Sequence, residues 1–140
     1  MKKLLMPLIV AGSLMIACKK EKTTSTTPVM DTVDTTAQLK YRGVLMSGPY
    51  GTVMGTVKIY SKATSYSLVL DSFAVSSGPD LHVYLSKEVQ PLNSIDLGLL
   101  RANSGTQVYA ISGTPDFTQY KYGLIHCQQY DHLFGSANLQ

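Results

Sequence analysis

The chain has 140 residues, 44% of them hydrophobic and only 15% charged, which is the size of one ordinary folded domain. Twelve Lys and Arg stand against nine Asp and Glu, and without Lys2 and Lys3 the balance is ten against nine, or +1. So even a balance excludes a dedicated nucleic-acid binder, which needs many cations facing phosphates.

Met1-Lys2-Lys3 is a short cationic start, and Leu4 to Ala17 is apolar apart from Ser13, 14 residues in all. A spanning helix needs roughly 20 apolar residues. This run is shorter, lies at the very start and contains Pro7, so residues 1–17 are expected to be a secretory signal peptide. Its end, Leu14-Met15-Ile16-Ala17-Cys18, resembles a bacterial lipobox, in which a small residue precedes a Cys that is lipidated and becomes the first residue of the mature chain. Met15 stands where Leu is usual. Acylation with palmitate-type chains at Cys18 contributes about 0.8 kcal/mol per buried methylene, so more than one chain gives lasting anchorage. The expected location is the bacterial cell envelope, with the remainder of the chain extracytoplasmic and its membrane contact made through Cys18.

Lys19-Lys20-Glu21-Lys22 opens a stretch poor in large apolar residues, and seven of the fourteen residues from Thr23 to Thr36 are Thr. Such a composition buries too little surface to offset chain entropy. Residues 18–38 are therefore expected to form the lipidated Cys and a flexible tether. As a coil, the tether's ends would lie about 25 Å apart, and fully stretched about 70 Å.

Period-two patterning begins at Leu39. Val53, Val57 and Ile59 share one face, as do Leu68 and Leu70. Leu81, Val83 and Leu85 alternate with His82 and Tyr84, and Gln107 to Ile111 and Tyr120 to Cys127 continue the pattern. A last short strand is expected within Leu133 to Leu139. Ser47-Gly48-Pro49, Ser77-Gly78-Pro79-Asp80, Asn103-Ser104-Gly105 and Ser112-Gly113-Thr114-Pro115 read as turns. The one helical turn expected lies at Ile95 to Leu100, with Asn93 or Ser94 as its cap. The predicted fold of residues 39–140 is all-β, an antiparallel sandwich or barrel of about seven short strands.

The sequence lacks a phosphate-binding glycine loop, a nucleophile elbow, a zinc helix and a Cys-x-x-Cys pair. It is therefore not expected to be an enzyme by itself, although chemistry on one thiol stays open. With Cys18 acylated, Cys127 has no partner in the chain. In an oxidising compartment a lone thiol is either buried or used. Alternation puts Ile125 and Cys127 on one face and His126 on the other, while a turn brings His132 back toward them. His82, His126 and His132 are the candidate ligands beside Cys127. A type-one copper site would need Cys127, His residues and Met46 or Met54. Haem would need a large apolar pocket.

Ser77-Gly78-Pro79-Asp80-Leu81-His82-Val83-Tyr84-Leu85-Ser86 resembles the signature strand of the DM-thirteen domain, a small extracytoplasmic domain. Asp96-Leu97-Gly98-Leu99-Leu100, Asn103 to Tyr109, Ile125-His126-Cys127-Gln128-Gln129-Tyr130 and Leu133-Phe134-Gly135-Ser136-Ala137 extend the resemblance over most of residues 40–140. It implies a β-rich electron-transfer domain whose characteristic Cys falls on Cys127, acting as a bare thiol or through a bound group such as haem, with an external redox partner protein. The alternative expectation is a non-catalytic binding or adhesion module of the envelope, with tyrosines such as Tyr50, Tyr84 and Tyr130 supplying contact area.

Overall fold

The structure is a computed structural model and describes residues 23–140; the signal segment, Cys18 and the first residues of the tether lie outside them. Ten strands follow in order: β1 (Val29–Met30), β2 (Gln38–Val44), β3 (Met46–Ser47), β4 (Val53–Lys62), β5 (Ser65–Val75), β6 (Leu81–Ser86), β7 (Ser94–Leu99), β8 (Ser104–Ile111), β9 (Tyr122–Cys127) and β10 (His132–Asn138). They build two five-stranded sheets, β1-β8-β5-β4-β2 and β3-β10-β9-β6-β7, antiparallel throughout except where β1 lies parallel to β8. The fold is thus an all-β sandwich. It has three more strands than the seven expected: β1 and β3 are two-residue pieces without an alternation of their own, and β7 lies where a helical turn was expected.

The alternation in the sequence becomes the core. Val57 and Ile59 of β4 and Leu68 and Leu70 of β5 face Leu81, Val83 and Leu85 of β6 and Ile125 of β9, all fully or almost fully buried. Each such side chain contributes roughly 1.5–3 kcal/mol relative to exposure. The sheets approach closely at Gly123, where a Cβ would meet the Val57 side chain at 2.8 Å. A second, smaller cluster of Tyr84, Leu124 and Leu133 lies on the outer face of the second sheet, with Tyr122 against it.

Two expectations are corrected. Residues Ile95–Leu100 do not form a helical turn. They supply β7, which pairs with β6 and takes up a register shift opposite Gly98, whose φ is +110°. The ladder to β6 satisfies backbone groups that an isolated turn would leave to water, and glycine tolerates the bulge at no steric cost. The described part of the expected coil also lies along the sandwich. Thr23 bridges Pro79, Ser25 bridges Ala102, and Val29–Met30 pairs with Gly105–Thr106. Asp31 adds an ion pair with Arg101 and accepts a hydrogen bond from the Val108 amide at 2.8 Å. Backbone pairing and one carboxylate hold this Thr-rich strip where side-chain burial does not.

The connections sort the sandwich into two ends. The loops 48–52, 76–80, 100–103 and 128–131 gather at one end, called here the near end because Thr23 and Ser25 attach there. The β4–β5 hairpin and the β6–β7 and β8–β9 connections lie at the far end.

Candidate functional site

Cys127 is the last residue of β9 and is 0% exposed. Its neighbours in register are Leu81 on β6 and His132 on β10, so the three side chains point to the same side of the sheet; Leu81 and Cys127 belong to the core cluster, and His132 lies partly buried at its margin. His132 begins β10 after the turn 128–131, and the Tyr50 ring lies flat on its imidazole, with centroids 3.7 Å apart and planes 4° from parallel. Tyr130 flanks the same imidazole at 5.9 Å. The thiol therefore sits directly beneath the near end, under a cover of Tyr50, His132 and the β9–β10 turn.

His82 and His126 are on the opposite face, as the alternation requires, and are direct register partners on β6 and β9. Neither shares the face of Cys127, so a placement of His82 beside the thiol is excluded. The His82 ring lies between two carboxylates: Nδ1 is 3.0 and 3.1 Å from the two Asp96 oxygens, and Nε2 is 3.4 Å from Asp80 Oδ1. Asp80 itself takes a left-handed φ of 52°, and its carbonyl accepts the Gln128 amide at 3.1 Å, tying the Gly-Pro-Asp turn to the β9–β10 turn.

His126 is 2% exposed, and its Nδ1 has no hydrogen-bond partner among the described residues. Nε2 lies 3.0 Å from Asp131 Oδ1, close enough for an ion pair though not aligned as a hydrogen bond. Burial pushes the imidazole below the usual histidine value, against the pull of the Asp131 charge. Between the two histidines, Tyr84 has its ring 6.0 Å from each, and its hydroxyl accepts from Gln128 Nε2 at 3.2 Å. Burial, and then the Asp96 charge, push the Tyr84 phenol up. The outer face thus carries a polar cluster made of two imidazoles, their carboxylates and a phenol. Asp96, Asp131 and Tyr50 completed these arrangements without any local signal in the sequence.

The ligand sets weighed for Cys127 are not assembled. Met46 and Met54 are both exposed, and no group of three or more His, Cys, Asp or Glu among the described residues is arranged to hold a metal ion. Haem does not fit at the thiol either. Cys127 packs with Leu81, Ile125 and the rest of the core, and a macrocycle at the sulfur would displace them. His82 holds Asp96 on Nδ1 and has Asp80 Oδ1 3.4 Å from Nε2, on the face of the sheet opposite the thiol, so it does not share a ligand set with Cys127.

An all-β sandwich of two five-stranded sheets, with a buried free thiol at the end of the central strand of one of them, defines the class: a small β-sandwich module. The family model described as Electron transfer DM13 matches residues 45–139, and the chain belongs to that family. No curated protein and no solved structure matches the chain.

Proposed function

We propose that the chain is a lipid-anchored, extracytoplasmic electron-transfer module of the bacterial cell envelope, with Cys127 as its redox-active group. The carrying observation is the placement of that thiol, the free cysteine among the described residues, level with His132 directly under the near-end turn. In exchange with a partner protein's disulfide, the Cys127 sulfur would form a new S–S bond as the partner's S–S bond breaks. The partner's leaving sulfur is reduced, Cys127 is oxidised, and His132 is the imidazole suited to take the thiol proton. Because the sulfur is sealed at rest, exchange requires local opening of the 128–131 turn and of Tyr50.

The test is a thiol titration of the full chain, native and unfolded, with an optical spectrum and metal analysis on the same aerobic preparation. A slow native reaction that accelerates with pH, and accelerates again in Tyr50→Ala, supports the reading. A sulfur inert for hours in the native state at raised pH, yet stoichiometrically reactive once unfolded, overturns it. The burial of Cys127 favours one other reading, a non-catalytic binding or adhesion module. Partner capture that survives Cys127→Ser would support that alternative.

A further inference from the structure

We infer that the near end of the sandwich lies against the lipid surface, so that Tyr50, Met54 and Tyr130 meet the headgroup region. This rests on the reading that Cys18 is acylated, and it requires the disulfide partner that opens the 128–131 turn to sit in the same membrane.

Chain geometry makes the first argument. The strip from Thr23 to Asp31 is fixed to the domain, and its first attachment, Thr23 to Pro79, is at the near end. Only Lys19, Lys20, Glu21 and Lys22 separate Cys18 from that point. Five residue steps span at most about 17 Å. The ten residues of β4 run the length of the sandwich, about 33 Å. A lipid at Cys18 therefore reaches the near end and falls short of the far end by about half the domain. Had the strip been a free coil to residue 38, either end could have faced the membrane.

Surface chemistry makes the second argument. Tyr50, Met54 and Tyr130 are all more than half exposed at the near end, although each carries a large apolar body. Tyrosines favour the headgroup level, where the ring is shielded and the hydroxyl stays wet. Of the five described lysines, Lys40, Lys62, Lys87 and Lys121 sit toward the far end, close to Gln38–Ser61, Ser86–Ser94 and Ser86–Tyr122 in register, and Lys58 lies mid-sheet paired with Asp71. Asp131 is an exposed near-end charge that opposes an anionic surface, and the three lysines within four residues of Cys18 in the sequence are the cations that would offset it.

The test uses the full, acylated chain in vesicles of phosphatidylcholine and phosphatidylglycerol, in a Cys127→Ala background. An environment-sensitive fluorophore is placed at Tyr130→Cys, or at Gln90→Cys in the far-end β6–β7 connection. Mass analysis of the N-terminal peptide establishes acylation separately. With Cys18 acylated, lipid-borne quenchers are expected to dim the position-130 probe severalfold more than the position-90 probe. Asp31→Ala, which loosens one of the strip's attachments, should leave that difference or shrink it, and never reverse it. Equal quenching at both positions on an acylated chain overturns the orientation while leaving the anchor intact. An unacylated Cys18 overturns the anchor and the orientation with it. Protection of position 130 that appears only when envelope protein is added would assign this end to a protein partner instead.

Discussion

Gln107 offers the sharpest test of how the near end is held. It lies mid-way along β8, is 0% exposed, and spends its whole amide on one loop. Its Oε1 accepts from the Tyr109 hydroxyl at 2.8 Å and from the Arg101 and Ala102 amides at 3.2 and 3.4 Å. Its Nε2 donates to the Ala102 carbonyl at 2.8 Å. Gln107→Leu keeps the volume but strands the Ala102 amide and carbonyl, while Arg101 N–H retains a 3.2 Å contact to the Tyr109 hydroxyl. At roughly 1–3 kcal/mol for each buried group left unpaired, the expected loss is about 3–5 kcal/mol. For a domain of this size that is roughly 15–30 °C in Tm. Gln107→Glu, which keeps the acceptor and loses the donor, should fall between. Urea unfolding followed by circular dichroism measures both. A Gln107→Leu loss below about 1 kcal/mol would refute the idea that this amide, and not apolar contact, fixes the 100–103 loop.

Three further outcomes are expected. Burial holds the His126 imidazole below its ordinary value of 6.5 in the folded chain, against the pull of Asp131 and with the charges of His132 and His82 adding to the lowering. The unfolded chain then binds the proton more readily, so stability is full above about 6.5 and declines as pH falls through it; His126→Gln should flatten that slope in denaturation measured from pH 8 to pH 5. The Arg101 guanidinium and the Val108 amide hold the Asp31 carboxyl below its ordinary value, so the strip should loosen in acid; at neutral pH Asp31→Asn is expected to cost about 1 kcal/mol or less, given the exposure of the pair, yet to speed amide exchange at Asp31 and Val108. Palmitate labelling of cells expressing the chain should vanish in Cys18→Ser, and unchanged labelling would reject the lipobox reading.

Much of the sandwich was legible because period two is a local property. Val53, Val57 and Ile59, and Leu81, Val83 and Leu85, face inward as their spacing requires, and the same rule separated His126 from Cys127. Register was not legible. That His126 faces His82 and that Cys127 faces His132 depends on which strands become neighbours, and no short window of sequence carries that information. The stretch Ile95 to Leu100 reads as a helical turn because Gly98 interrupts the alternation of β7 at a bulge. Gln107 looked like an ordinary polar residue on a half-buried strand, and its burial follows from a loop that folds over it. The Thr-rich strip escaped notice for a related reason. Its composition correctly denied it a core, but its attachments are main-chain ladders and one distant ion pair.

The parallel pairing of β1 has a consequence for solubility. Strand β8 is the outermost long strand of its sheet, and Val29–Met30 with Asp31 caps its hydrogen-bonding margin from Gly105 to Val108. An open margin of that kind is a template for a neighbouring molecule's strand. A chain clipped after residue 31 would bare it and should stick to its own copies as concentration rises. This two-residue strand thus doubles as a stopper against fibre-like growth.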